Sequence, residues 1–510
     1  MHIIWKLLLA VVICWLLNTI FVKPILKLLS YRRKGAVMNY FPIIGIFYRN
    51  LKDAKKYNDF FQFQKNIIKT KPDLKAFVTN FGSNVVFNCV DPALAKDVLQ
   101  NYHRYVKGKM MQIPFMLLSG SLPAIEGEAW KAQRRITGKV FHFDYLRNLI
   151  PSIQRLTNET FAQWSAEGPG KELAALDTLQ QLVGSIVGVT FFGSDREKHQ
   201  IEGKPIEMYF SELLTDSVAA AITPLAILFG IKALKYGLTP FYRKLNRNNK
   251  IYRAFVSNII QERRAQFDAN KSQGEPKEKD LLDILFESQD SQTQFTDDEL
   301  IDMFAAFYAG GTDTSSHLLQ SLFYLLEQNP ECKQKLIEEV SSVIKDPSEA
   351  ITQEQLNRLE FTTAVIKESL RVVPPIPHLV QREAIVDHYL GDFFIPKGMY
   401  VGVDYIALHY HPKIFENPEK FNPYRWIKGH QDYNEDANRD PFKFLPFAAG
   451  PRNCIGQPLA MLEMKIILAL FASQFDWKIK EGYKWKLIFK FGYEPEEQVP
   501  LILYPKNIKA

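Results

Sequence analysis

From Leu7 to Val22 the chain runs LLLAVVICWLLNTIFV without a charged residue. Counted from His2, with Lys6 reaching out along its own aliphatic stem, the run makes a helix of about 31 Å, enough to cross a bilayer core. Further on, apolar residues recur mostly at helical spacing, while LKAFVTNFG and NVVFNCV, near residues 74–90, read as short strands. The fold class predicted is mainly α with a small β part. The polar stretch from Asn270 to Asp280 reads as a mobile loop, and no internal repeat is present. The organisation expected is a transmembrane anchor over 1–22, a basic linker or hinge over 23–50, and one large domain over 51–510.

One helix is legible in detail. Thr296-Asp-Asp-Glu299 has the form of a capping box opening an apolar run that continues to Gln328, where Asn329-Pro330 stops it. At helical rise this element is about 48 Å long and crosses the whole domain. Gly310-Gly311 sit in its middle, each costing about 1 kcal/mol against alanine. They are either a packing notch or a local opening of the helix, at which Thr312, Asp313 and Thr314 offer polar groups inside the core.

The net charge of +7 changes the picture only at one end. Lys6, Lys23, Lys27, Arg32, Arg33 and Lys34 precede any acidic residue, and beyond them acids and bases nearly balance. The body therefore lacks the concentrated basic footprint of a nucleic-acid-binding protein. Because most of the charge follows the apolar run, the pattern favours a retained anchor over a cleaved signal peptide. The positive-inside rule leaves the body cytosolic, on the endoplasmic reticulum membrane. A composition 46% hydrophobic excludes a collagen or a disordered tail. Cys14, Cys89, Cys332 and Cys454 are too scattered for a disulfide framework.

Cys454 stands apart from the other three. Phe447-Ala-Ala-Gly-Pro-Arg-Asn-Cys-Ile-Gly456 gathers Gly450, Arg452, Cys454 and Gly456 into a loop that runs into a helix with Pro458 in its first turn. A cysteine there, beside an arginine, sits where a thiolate is stabilised. The flanking glycines let a large flat ligand approach the sulfur.

This segment resembles the Phe-x-x-Gly-x-Arg-x-Cys-x-Gly signature of the cytochrome P450 family at every specified position. Glu368-Ser-Leu-Arg371 is similar to that family's Glu-x-x-Arg, and Pro423-Tyr-Arg425-Trp426 to its Pro-x-Arg-[Phe/Trp]. Gly310-Gly-Thr-Asp-Thr-Ser315 and Trp130-Lys-Ala-Gln-Arg134 resemble two further elements, and all five stand in the family's order across roughly residues 120–470.

The resemblance implies the cytochrome P450 fold, and makes 51–510 a haem-thiolate catalytic domain with Cys454 as axial ligand of a non-covalently bound haem b. It implies a buried Glu368, Arg371 and Arg425 network holding the cysteine loop. Asp313 and Thr314 take by resemblance the roles of proton-relay acid and alcohol. Trp130, Arg134, Arg382 and Arg452 supply donors suited to two haem propionates; each arginine alone reads equally as a solvated charge. Thr314 also has a plain alternative, a hydroxyl bonded back to the preceding helical turn.

The activity implied is a monooxygenase using O2, a lipophilic substrate such as a fatty acid, sterol or terpenoid, and electrons from NADPH through NADPH–cytochrome P450 reductase, with cytochrome b5 as a further donor. A peroxide-rearranging isomerase and a non-catalytic haem sensor are the alternatives on the same scaffold. Some fatty-acid ω-hydroxylases of the family attach haem through a Glu where this chain has Gly310, so that covalent link is not expected. Phe304, Phe307, Ile113–Leu117 and Pro374–Pro377 are expected to line the distal pocket. Val218 to Ile231 reads either as a membrane-dipping surface or as core. Lys131, Arg135, Lys139, Lys443 and Lys465 are expected on the proximal face.

Overall fold

The structure, a computed structural model, describes residues 2–108, 111–193, 200–273, 279–287, 295–378 and 381–506. Helix α1 (His2–Leu17) passes through a wider π turn at Asn18–Val22 into α2 (Lys23–Arg32). Trp5, Leu7, Leu9, Val11 and Trp15 are exposed along α1, whose apolar portion is Ile4–Trp15.

Residues 23–50, read as a linker, are largely folded. On α2, Pro24, Leu28 and Tyr31 share one buried face, and the Tyr31 hydroxyl donates to the Phe394 carbonyl at 2.6 Å. Strand β1 (Val37–Asn39) then pairs in parallel with β2 (Ala76–Phe81). Leu26 and Leu29 off that face, with Lys23, Lys27 and Arg32 around it, hide this helical spacing in the sequence.

The two short runs near 74–90 are strands, β2 and β3 (Asn84–Cys89), paired antiparallel. They belong to a six-stranded mixed sheet completed by β4 (Tyr105–Lys107), β5 (Arg382–Ala384) and β6 (Tyr400–Val403), in the order β1-β2-β3-β6-β5-β4. Near the C-terminus β7 (Leu487–Phe489) and β8 (Tyr493–Pro495) form a hairpin.

Helices make up the larger layer. Those that frame the site are α3 (Gly127–Thr137), α4 (Ala175–Phe192), α5 (Ile206–Ala221), α6 (Pro240–Gln273), α7 (Asp297–Tyr308), α8 (Thr314–Glu327), α9 (Glu360–Val372) and α10 (Gln457–Gln474). Among the described residues α4 is the helix long and apolar enough to cross a membrane, but 72% of it is buried and it serves the core. Helix α6 runs into the expected loop as far as Gln273, and residues 274–278 lie outside those described. Around Val218–Ile231, Ala220 and Ala226 are buried whereas Ile222 and Phe229 are exposed, so the segment is part core and part apolar surface.

Candidate active site

The long helix forms as its pattern predicts, with both hydrogen bonds of the Thr296–Glu299 capping box present, and then opens at Ala309–Asp313 into a π turn between α7 and α8. The two glycines divide the two roles that the sequence left open. A Cβ on Gly311 would stand 2.7 Å from Val187 Cγ2 of α4, so Gly311 is the packing notch. A Cβ on Gly310 would meet nothing within 4 Å. From Leu300 to Phe323 only Ala306, Gly310, Gly311 and Thr314 are not buried. Positions 306, 310 and 314 are spaced by four and form one stripe, so this otherwise buried helix leaves a single side unpacked.

Phe304 and Phe307 are not on that stripe. Phe304 stacks on Phe192 at 3.9 Å and Phe307 lies 4.9 Å from Phe191, both against α4. Both rings face α4, Phe304 well round the helix from Gly310 and Phe307 only three residues before it, on the neighbouring flank.

The Thr314 hydroxyl donates to the Gly310 carbonyl at 2.8 Å, the bond-back arrangement. Asp313 is 3% exposed and accepts from Gln180 Nε2 at 3.0 Å, with the Ser211 hydroxyl as a second partner. Burial pushes its carboxyl up to about 6, against the lowering influence of His317, Ser211 and Gln180. Behind the same turn Ser315 donates to Glu463 of α10 at 2.6 Å, and burial pushes Glu463 up to about 8.

The cysteine loop closes on itself through the Cys454 N–H, which donates to the Phe447 carbonyl at 2.9 Å. Gly450 has φ +77° and a Cβ there would stand 2.7 Å from the Leu99 carbonyl oxygen, so the tight turn accepts only glycine. Gly456 caps α10, and Pro458 lies in its first turn. The Cys454 side chain is open on one side. The protein packed round its other sides lifts the thiol, opposed by the N–H groups of Gly456 and Gln457 and by Arg134. A metal overrides that balance, because a coordinating thiol is deprotonated outright.

Trp130, Arg382 and Arg452 come together although they lie far apart in sequence. The Arg452 guanidinium stacks 3.9 Å from the Trp130 ring, donates to the Ile125 carbonyl at 3.0 Å and pairs with Glu126. Lys107 faces Arg382 across the β4–β5 pairing, and its backbone N–H donates to Glu126 at 3.0 Å. Burial, Arg382 and Arg452 depress the Lys107 ammonium to about 7, with Glu126 opposing. Arg382 is 2% exposed, with Nε and Nη1 buried and unbonded, as is Arg452 Nε. Arg134 departs from this group, donating to the Asn453 carbonyl at 2.9 Å and to Asn453 Oδ1 at 2.7 Å. It sits beneath the cysteine loop.

The carboxylate and arginines behind the loop form one buried network. Arg371 donates to Glu368 from Nε at 3.0 Å and from Nη2 at 2.8 Å, and Arg425 Nε lies 3.5 Å from the same carboxylate. Trp426 Nε1 donates to Glu368 at 3.0 Å and the Asn422 N–H at 2.8 Å. Arg371 also donates to the His409 carbonyl at 2.9 Å, and His409 Nε2 accepts from the Leu445 N–H at 3.0 Å, two residues before Phe447.

A family model described as Cytochrome P450 matches residues 34–498. The chain belongs to the cytochrome P450 family. It is 33% identical to human cytochrome P450 4F8 over 369 residues, 68% of this chain and 67% of that one. With cytochrome P450 4c21 of Blattella germanica it shares 26% over 486 residues, 91% of this chain and 92% of that one. The fold matches a retinoic acid-bound cyanobacterial CYP120A1 with a TM-score of 0.74 at 21% identity, covering 92% of this chain and 99% of the other. As a cytochrome P450 the protein is a monooxygenase that incorporates O2, binds haem b non-covalently and takes electrons from NAD(P)H through a redox partner.

The residues present fit that cofactor. Lys107, Arg382 and Arg452 bring three cations against the one carboxylate of Glu126, with three guanidinium donors buried and unpaired. Buried donors and buried charge of this kind require an anionic partner, and two carboxylates neutralise the cluster. Sequence reasoning missed Lys107, Glu126, Gln180 and Glu463. Lys107 and Glu126 carry no local signal, since strand register brings the one to Arg382 and the helix entry brings the other to Arg452.

Proposed function

We propose that this cytochrome P450 is a membrane-anchored enzyme of the endoplasmic reticulum, with a single N-terminal span and a cytosolic catalytic domain. Its electrons come from NADPH through NADPH–cytochrome P450 reductase, with cytochrome b5 as a further donor, and its substrate is lipophilic, of fatty acid, sterol or terpenoid type. The observation that carries the substrate reading is the stripe of Ala306, Gly310 and Thr314. Its one side-chain polar group is already turned to a carbonyl, so a ligand lying over it meets carbon. The anchor reading rests on the exposed apolar α1 and the basic residues that follow it.

In this reading Cys454 would hold the haem iron through its thiolate, Arg134 steadies the cysteine loop through Asn453, and Trp130, Lys107, Arg382 and Arg452 would receive the propionates. Bound haem supplies the activation of dioxygen, and a thiolate ligand favours O–O cleavage. Protons for that cleavage come through the chain's own groups. Asp313, held near 6, takes and releases a proton close to neutral pH, and the Thr314 hydroxyl, its hydrogen given to the Gly310 carbonyl, orders the relaying water as an acceptor.

Purified protein reconstituted with NADPH and diflavin reductase is expected to consume oxygen in a substrate-dependent way. A panel of fatty acids, sterols and terpenoids, screened by the shift of the haem spectrum, identifies the class. Turnover of a lipid hydroperoxide without reductase, together with no substrate-dependent oxygen consumption when NADPH and reductase are present, would replace this reading by the isomerase.

Thr314→Ala is expected to keep haem content and substrate affinity, since the lost hydroxyl bonds only within its own helix. NADPH and oxygen consumption continue, while hydrogen peroxide rises several-fold at the expense of product. Peroxide and product measured together per NADPH check this, and parent-like coupling overturns the relay role.

Of the five basic residues, Arg135 and Lys139 border, with His142, a surface hollow beyond α3, while Lys131 is paired with Glu128. Lys443 is paired with Asp436 and Lys465 donates to the Leu356 carbonyl. Reversing the charge of Arg135 and Lys139 together is expected to slow the first electron transfer several-fold at low salt. The deficit shrinks as salt screens the steering, which stopped-flow reduction over a salt series measures.

A further inference from the structure

One turn beyond Asp313, on α8, His317 occupies a buried position with an acceptor at each ring nitrogen. Nδ1 faces the Asp313 carbonyl at 2.5 Å and Nε2 faces Glu494 Oε2 of β8 at 2.6 Å. His317 is 7% exposed and Glu494 4%. A backbone carbonyl only accepts, so Nδ1 carries a hydrogen. The proton shared at Nε2 then makes the pair either imidazolium with carboxylate or neutral imidazole with carboxylic acid. Lys490 Nζ lies 3.5 Å from the other oxygen of Glu494 at the protein surface, which favours the ionised carboxylate. Glu494 and Asp313 raise the His317 ring above its ordinary value, against the effect of burial.

We propose that His317, fixed as an imidazolium by Glu494, is a positioning residue whose charge keeps the buried Asp313 carboxyl able to ionise. The proposal rests on the reading of Asp313 as the proton-relay acid. Without the imidazolium, Asp313 would share its buried site with a second carboxylate, Glu494, and hold its proton too tightly to pass it on. The groups that face Asp313 are Gln180 from α4, Ser211 from α5, His317 from α8 and Glu494 from β8. Gln180 and Ser211 are neutral, so His317 is the one cation among them. Glu463 of α10 stands behind Ser315, and Lys490 faces Glu494 from the solvent side. The C-terminal hairpin thereby acts on the distal helix through one ion pair.

The test reads Asp313 directly in the holoenzyme, without a substrate. The carboxylic acid C=O stretch of Asp313 is the infrared band lost in Asp313→Asn, and its pH titration gives the midpoint. In His317→Gln the midpoint is expected to rise by about one pH unit or more, the effect of removing an adjacent opposite charge. In the double variant His317→Gln, Glu494→Gln it returns most of the way, because the second carboxylate has gone as well. A parent-like midpoint in His317→Gln overturns the proposal. Should that variant not fold, nitrogen NMR of the parent protein with labelled histidine decides, with the His317 signal assigned by its displacement in Glu494→Gln. An imidazolium at pH 7 supports the proposal, and a neutral ring at that pH overturns it. The turnover rate of Asp313→Asn tests the relay reading separately. A parent-like rate there defeats that reading whatever the midpoints show, and a slowed rate with an unmoved midpoint in His317→Gln defeats the role of His317 alone.

Discussion

Cys454→His is expected to abolish the red-shifted Soret band that thiolate-ligated haem shows when reduced with carbon monoxide, and oxygenase turnover with it. No other thiol stands in reach. Cys14 lies on the exposed α1, Cys89 is wholly buried in β3, and Cys332 belongs to the helix Pro330–Val343. The fold should survive, since the hydrogen bond that closes the loop comes from the Cys454 backbone N–H and not from its side chain. The carbon monoxide difference spectrum and a denaturation midpoint, taken on one preparation, separate lost ligation from lost folding. A retained thiolate spectrum would remove Cys454 from the iron.

Glu368→Gln is expected to be the most damaging change to the fold itself. Glu368 and Arg371 are both fully buried, and the one carboxylate receives Arg371 twice, Trp426, the Asn422 N–H and Arg425. Removing its charge leaves two buried guanidinium groups uncompensated, a loss of about 3–5 kcal/mol against a total stability of about 5–15 kcal/mol. The damage travels to the cysteine loop along a defined path. Arg371 holds the His409 carbonyl, His409 holds the Leu445 N–H, and Trp426 packs on Phe444 at 4.4 Å. The variant should therefore show a lowered denaturation midpoint and little bound haem. The haem-to-protein ratio measured beside the midpoint checks this, and parent-like values for both would return the pair to an ordinary ion pair.

Much of the protein was determined by sequence alone, wherever the physics is local. The capping box of α7, the glycine-interrupted core helix, the two strands near 74–90 and the loop that carries Cys454 each depend on neighbours within a few residues, and each forms as read. The five motifs carried the family for a related reason, since each is a short local constellation. Tertiary structure decided whatever depends on which groups meet across the chain. Residues 23–50 read as a linker because their basic side chains mask a buried face whose partners lie near residues 77 and 394. That Phe304 and Phe307 stack on Phe192 and Phe191 of α4 is likewise settled only when the two helices meet. Lys107 meets Arg382 only through the register of β4 and β5, and His317 meets Glu494 only because the C-terminal hairpin folds back onto α8. Charge pairing of this kind acts through space at a few ångströms, and separation along the chain carries no trace of it.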